Sequence, residues 1–217
     1  MSPQGDGRPA AAEPGPLVLA PMGIEWRALR RAVRRGGDRL RVDRCGIALR
    51  GFTPPAEPPR AYVTCGLAGG LRADLEPGTV VVASSVVYEG GEPAACDPEL
   101  TRALVAGARA CGAEPVVGPV LTARRLIVGR ERHRWAERGW LAAEMETALL
   151  ASTGVPLGSL RVVIDAAGQD VSGRWEQPVL AALDPRHWRE ALWLAARAPR
   201  YAALAARCVV AGLSPRR

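Results

Sequence analysis

Residues 79–88 hold five valines and no charge, and they restrict the fold more than any other stretch. β-branched side chains at this density favour a strand, and an apolar run without alternation needs cover on both faces. Such a strand belongs inside a sheet with helices on each side. Shorter apolar runs at 17–20, 61–65, 115–122 and 160–164 repeat the signal. Residues 39–45 alternate basic and apolar side chains, as a strand with one solvated face does. Helical spacing covers 25–35, 98–111, 142–152 and the alanine-rich 188–210, while four prolines within 51–59 exclude a helix there. The alternation predicts one α/β domain over 17–217, a central mixed sheet flanked by helices. Residues 1–16, rich in glycine, proline and alanine without an apolar stretch, read as a flexible tail rather than a signal peptide.

Composition narrows the chemistry. All 29 basic side chains among the 217 residues are arginine, and there is neither lysine nor asparagine. This excludes Schiff-base lysines and the lysine of a phosphate loop. Arginine stays protonated, so proton transfer falls to the carboxylates, His133, His187, the cysteines or the tyrosines. The net charge of +7 is uneven. Residues 27–44 carry eight arginines against two aspartates, and 186–217 carry seven against one glutamate; elsewhere acids exceed bases, nineteen to fourteen. An acidic body with basic outer elements argues against a nucleic-acid partner. A binding module for nucleic acid or anionic lipid stays open as an alternative, with Trp188 and Trp193 as candidates for peripheral membrane contact. Five scattered cysteines without a CxxC give neither a disulfide framework nor a zinc signature, the latter leaving no metal site read from the sequence. No apolar run reaches the ~20 residues of a membrane span. A reducing cytoplasm is the expected location.

Ligands in α/β folds collect at the carboxyl ends of the strands. Glu25, Glu144, Glu146 and Asp165 stand there. Asp165 directly follows an apolar strand, where a buried carboxylate is costly unless paired or functional. It could cap a helix starting at 166, pair with an arginine, or act on a substrate. Periodicity alone reads Glu146 as a solvated helix residue. His133 and His187 read as solvated or helix-end residues, and Cys65 as a small buried residue rather than a nucleophile.

Five motifs in order refine this reading. They are Met-Gly-Ile-Glu at 22–25, Cys-Gly-Leu-Ala-Gly-Gly-Leu at 65–71 and Glu-Pro-Gly-Thr-Val-Val-Val at 76–82. Ala-Glu-Met-Glu-Thr-Ala at 143–148 and Arg-Val-Val-Ile-Asp at 161–165 complete the set. Together they resemble the nucleoside phosphorylase and nucleosidase family, including methylthioadenosine/adenosylhomocysteine nucleosidases. The nearest likeness is to the hopanoid-associated phosphorylase branch.

That resemblance implies cleavage of the N-glycosidic bond of a purine nucleoside, a 5′-modified adenosine that could carry a large apolar 5′ group, by hydrolysis or phosphorolysis. It implies Asp165 as the acid that protonates or hydrogen-bonds N7 of the base, which needs a raised pKa. Glu146 would hold the ribose hydroxyls, with Met145 against the sugar. Glu25 would orient or deprotonate water. Main-chain groups of Leu126 and Ile127 would meet adenine, and Gly66, Leu67 and Ala68 would form the glycine turn of the site. No cofactor is implied, and a homo-oligomer is.

Two departures bear on this. Phosphorolytic relatives hold phosphate with an arginine and a serine near the glycine turn, where this chain has Thr64 and Leu67; Arg44 or Arg50 could supply charge instead. The segment at 46–60 is also shortened and proline-rich. A scaffold redirected to an apolar substrate, for example in acid-initiated terpenoid cyclisation, or an inactive one, is the alternative.

Overall fold

The computed structural model describes residues 15–36, 40–165 and 188–214, with side chains of 188–195 outside the description. The tail at 1–14, Trp175 and His187, together with the side chains of Trp188 and Trp193, lies outside the described residues.

Among the described residues, eight strands form one mixed sheet. They are β1 (Leu17–Ala20), β2 (Arg41–Arg44), β3 (Tyr62–Gly70), β4 (Val80–Tyr88), β5 (Pro93–Ala95), β6 (Val116–Thr122), β7 (Ala142–Glu144) and β8 (Leu157–Asp165). β2, β1 and β3 run parallel, and β3 pairs with both β7 and β8. β7 pairs with β6, β6 with β4, and β4 with β8, so these pairings close a ring through β3. Among the described residues, four helices pack on the sheet: α1 (Gly23–Gly36), α2 (Pro98–Ala110), α3 (Arg130–Glu137) and α4 (Trp188–Leu213).

Local chemistry explains the boundaries. Glu25, Leu29 and Val33 repeat at four-residue spacing on the buried side of α1, whereas its arginines face solvent. Asp97 caps α2 by accepting from the backbone N–H groups of Glu99 (2.9 Å) and Leu100 (2.8 Å), with Pro98 in the first turn. The main core joins Leu29, Val63, Val82, Leu104, Leu160 and Val209, drawn from both helices and strands.

Three expectations change. Residues 142–152 are not one helix: β7 takes Ala142–Glu144, wedged between β3 and β6, and a 3-10 segment follows at Thr147–Thr153. Helical spacing was outweighed by sheet pairing and by Glu144, whose carboxylate accepts from the N–H groups of Glu146 and Thr147. The glycine turn is strand rather than loop, because β3 continues to Gly70 along β8. β4 is not covered throughout, since Ser84 is exposed and Ser85 half-buried.

Candidate active site

The first turn of α1, β3, β7 and β8 bring Glu25, Glu144, Glu146 and Arg161 together. Arg161 is 1% exposed and pairs with Glu144 and with Glu146, the latter at 3.3 Å. Its Nε and Nη1 atoms are buried without a hydrogen-bond partner. Burial works against its charge, but Glu144, Glu146 and Glu25 outweigh that and raise its pKa further. Arg161 is therefore a fixed buried cation with donors to offer.

Glu25 is held by two backbone donors, Met22 N–H to Oε2 and Leu67 N–H to Oε1, both at 2.7 Å. Burial raises its pKa against the opposing pull of Arg161. Gly66 is required beside it. A Cβ at Gly66 would lie 2.3 Å from Glu25 Oε1 and 3.2 Å from Arg161 Nη1.

Glu146 is not a solvated helix residue; it is 3% exposed. Its Oε1 accepts from Ala48 N–H at 3.1 Å. Burial pushes its pKa up to about 8, opposed by Arg161 and supported by Glu144 and Glu25. The shortened segment thus has a visible job. Ala48 and Leu49 hold left-handed φ values of 54° and 58°, and that strained turn aims the Ala48 N–H at Glu146. Met145 lies half-buried beside it.

Glu144 is the most fully satisfied of the group. It accepts from the Thr122 and Thr147 hydroxyls and from Arg161, besides its two backbone donors. Thr64 is tied to Thr147 at 2.7 Å and to Ser159 at 2.9 Å. Arg44 and Arg50 are exposed, so the buried cation here is Arg161. Burial pushes the Cys45 thiol up to about 12 and raises Cys65 as well, which disfavours either as a nucleophile. His133 is exposed on α3.

Asp165 stands at the other end. A bulge between β3 and β8 shifts the register so that Asp165, not Ile164, pairs with Gly69. A Cβ at Gly69 would sit 3.3 Å from Asp165 Oδ1. Gly66 and Gly69 are three residues apart, about 10 Å along the strand. Of the alternatives open for Asp165, pairing with an arginine is the one seen: Arg132 Nη2 of α3 donates to its Oδ2. Arg132 is 3% exposed and also donates Nε to the Ile127 carbonyl and Nη1 to that of Gly70, each at 3.0 Å. Ile127 is buried and Leu126 half-buried in the loop that leads to α3.

Sequence reasoning singled out Glu25, Glu146 and Asp165 but missed the roles of Arg161 and Arg132. Arg161 had a signal, a lone charge within an apolar strand. Arg132 had none, being one of five arginines in 124–134. A separate groove of about 710 Å³ between α1 and α4 is lined by Arg27, Arg31, Arg35 and Arg207, away from the carboxylates. Among the described residues, no group of three or more histidine, cysteine or acidic side chains is arranged to hold a metal ion, and no helix is long and apolar enough to cross a membrane.

A model of the phosphorylase superfamily matches residues 56–191. A search of curated protein sequences finds no match. Among solved structures, the 5′-methylthioadenosine/S-adenosylhomocysteine nucleosidase of Helicobacter pylori is similar at 15% identity and a TM-score of 0.69, over 92% of this chain and 97% of that one. Futalosine hydrolase of the same organism gives 16% and 0.70 over the same shares. The nucleosidase of Neisseria meningitidis, in complex with methylthio-immucillin-A, gives 19% and 0.67, again over 92% and 97%. At such identities the likeness establishes the fold: a nucleosidase-like α/β domain.

Proposed function

Because the chain belongs to the phosphorylase superfamily, we propose that it cleaves the N-glycosidic bond of a purine nucleoside, a 5′-modified adenosine, by hydrolysis. The observation that carries this is the placement of buried carboxylates at two ends of one stretch of β3, Glu25 at Gly66 and Asp165 at Gly69. In this reading the sugar lies towards Glu25 and the base towards Asp165.

In this reading Glu146 accepts from the ribose hydroxyls, with Met145 against the sugar. Gly66, Leu67 and Ala68 form the wall beside it. The open donors of Arg161 and the carboxylate of Glu25 hold a water molecule. The C1′–N9 bond breaks with its electron pair passing to the base, and Asp165 gives a proton to N7. Water then bonds to C1′ and yields its proton to Glu25. Leu126 and Ile127 present main-chain groups to adenine.

Two features support hydrolysis over phosphorolysis. Thr64 is engaged by Thr147 and Ser159, and the charge of Arg161 is already balanced by Glu144 and Glu146, although two of its N–H donors stay open. The surroundings of Glu146 are polar, built from Arg161, Thr147 and Glu144, which favours a hydroxylated sugar over the apolar substrate of a redirected scaffold. Incubating the protein with methylthioadenosine, adenosylhomocysteine and inosine, with and without phosphate, tests the proposal. Free base is expected from an adenosine derivative without phosphate. No base from any of the three, under either condition, would refute it.

A further inference from the structure

α2 and α4 cross at backbone contact. A Cβ at Gly107 would lie 2.2 Å from the Cys208 carbonyl oxygen, and one at Gly212 would lie 2.4 Å from that of Ala103. Helices with larger side chains at the contact keep their axes about 8–10 Å apart, so these two glycines are what lets the backbones touch. The facing pairs Ala103–Gly212 and Gly107–Cys208 make the crossing antiparallel. Cys111, one turn beyond Gly107, therefore stands on the contact face beside Cys208. There the two thiols share a hydrogen bond.

The two sulfurs sit differently. Cys208 is fully buried, in the core with Leu104, Ala108 and Val209. Burial pushes its thiol up to about 12, so it stays protonated. Cys111 is half-buried at the end of α2, open to a small reagent. The helix end fixes its place. Its N–H reaches the Gly107 carbonyl at 3.2 Å, and beyond left-handed Gly112 the Ala113 N–H returns to the Ala108 carbonyl at 3.0 Å. A disulfide needs Cα atoms about 4.4–6.8 Å apart, and a crossing spaced by larger side chains would hold them further apart.

We propose that Cys111 and Cys208 form a redox site: a peroxide oxidises Cys111, and Cys208 resolves it to a disulfide that ties α2 to α4. The inference owes nothing to the nucleoside reading. In the first step the Cys111 sulfur attacks the O–O bond and keeps one oxygen as a sulfenic acid. The rest of the peroxide leaves as an alcohol, or as water from hydrogen peroxide. In the second step the Cys208 sulfur displaces that oxygen, which departs with its own hydrogen and the Cys208 proton as water. Two thiols lose two electrons, and the peroxide gains them. The link closes a loop of roughly 100 residues, which restricts the unfolded chain strongly. Cys65, on β3, is the competing partner, since its thiol also feels Cys208 electrostatically.

Treating the full chain with hydrogen peroxide, alkylating it and mapping its tryptic peptides tests the site. Arginines separate all five cysteines, so each falls on its own peptide. Residues 110–124 should be found linked to 208–216 within one chain, with the other three of the five thiols alkylated. The melting temperature should rise by about 5–10 °C on oxidation and return with dithiothreitol. Cys111→Ser should lose both the link and the rise. The wild-type map decides the matter even if that variant fails to fold. A link from 208–216 to 61–72, which carries Cys65, would overturn the site, as would a link found only between two chains. Five alkylated thiols after peroxide treatment, or Cys111 recovered as a sulfinic acid with Cys208 alkylated, would overturn it too.

Discussion

The two ends of the site use the same pair of residue types in opposite ways. At the Glu25 end, Arg161 rises from the middle of β8 among three carboxylates, and Glu25 is fixed by two backbone donors. At the Asp165 end, one arginine from a short helix bridges the Asp165 carboxylate and the carbonyls of Ile127, Gly70 and Asp165. The first arrangement is built into the sheet; the second joins a helix to the end of a strand. An arginine–carboxylate contact therefore does not define a role by itself. What decides it is how many independent groups hold each partner.

This contrast can be broken by substitution. Arg161→Met leaves Glu144 and Glu146 buried without their cation, and denaturant unfolding should show a loss of about 3–5 kcal/mol. Arg132→Met should cost less, because among the described residues one carboxylate, Asp165, loses a charged partner rather than two. Equal losses would erase the distinction between the two ends.

Gly66→Ala probes how tightly the Glu25 end is set. The new methyl would displace Glu25 from its two N–H donors, and base release should fall about 10²-fold with the fold retained. Unchanged turnover would mean that Glu25 does not act from this position.

Glu146 gives the pH signature. Its pKa rises from 4.5 in the ordinary state to about 8 in the fold. The folded chain therefore binds the proton more strongly than the unfolded one. Stability from this group is present below about pH 4.5 and is lost as pH rises through about 8. Thermal unfolding between pH 5 and 9 should show wild type falling by up to about 1.4 kcal/mol per pH unit, and Glu146→Gln should flatten that slope. A slope that survives the substitution would place its origin elsewhere, with Glu25 the first candidate.

The smallest effect concerns the strained turn. Ala48→Gly removes the cost of a left-handed alanine and should stabilise by about 1 kcal/mol in chemical denaturation. A destabilised variant would show that the methyl group packs usefully.

The sequence made much of this legible. Apolar runs located β1, β4, β6 and β8, and helical spacing located α1, α2 and α4, because each buries one continuous face. The motifs carried Glu25, Glu146 and Asp165. Residues 142–152 misled, since a three-residue strand such as β7 is defined by its neighbours β3 and β6 rather than by its own side chains. Arg132 was hidden for a related reason. Two of its partners, Gly70 and Asp165, lie 62 and 33 positions away, and no local pattern distinguishes it from the arginines around it.

Hydrolysis of methylthioadenosine in ¹⁸O-labelled water, with mass analysis of the sugar, tests the central claim most directly. The account predicts free adenine and a sugar carrying one ¹⁸O at C1′ in phosphate-free buffer. Intact nucleoside, or release of base only when phosphate is added, would contradict it.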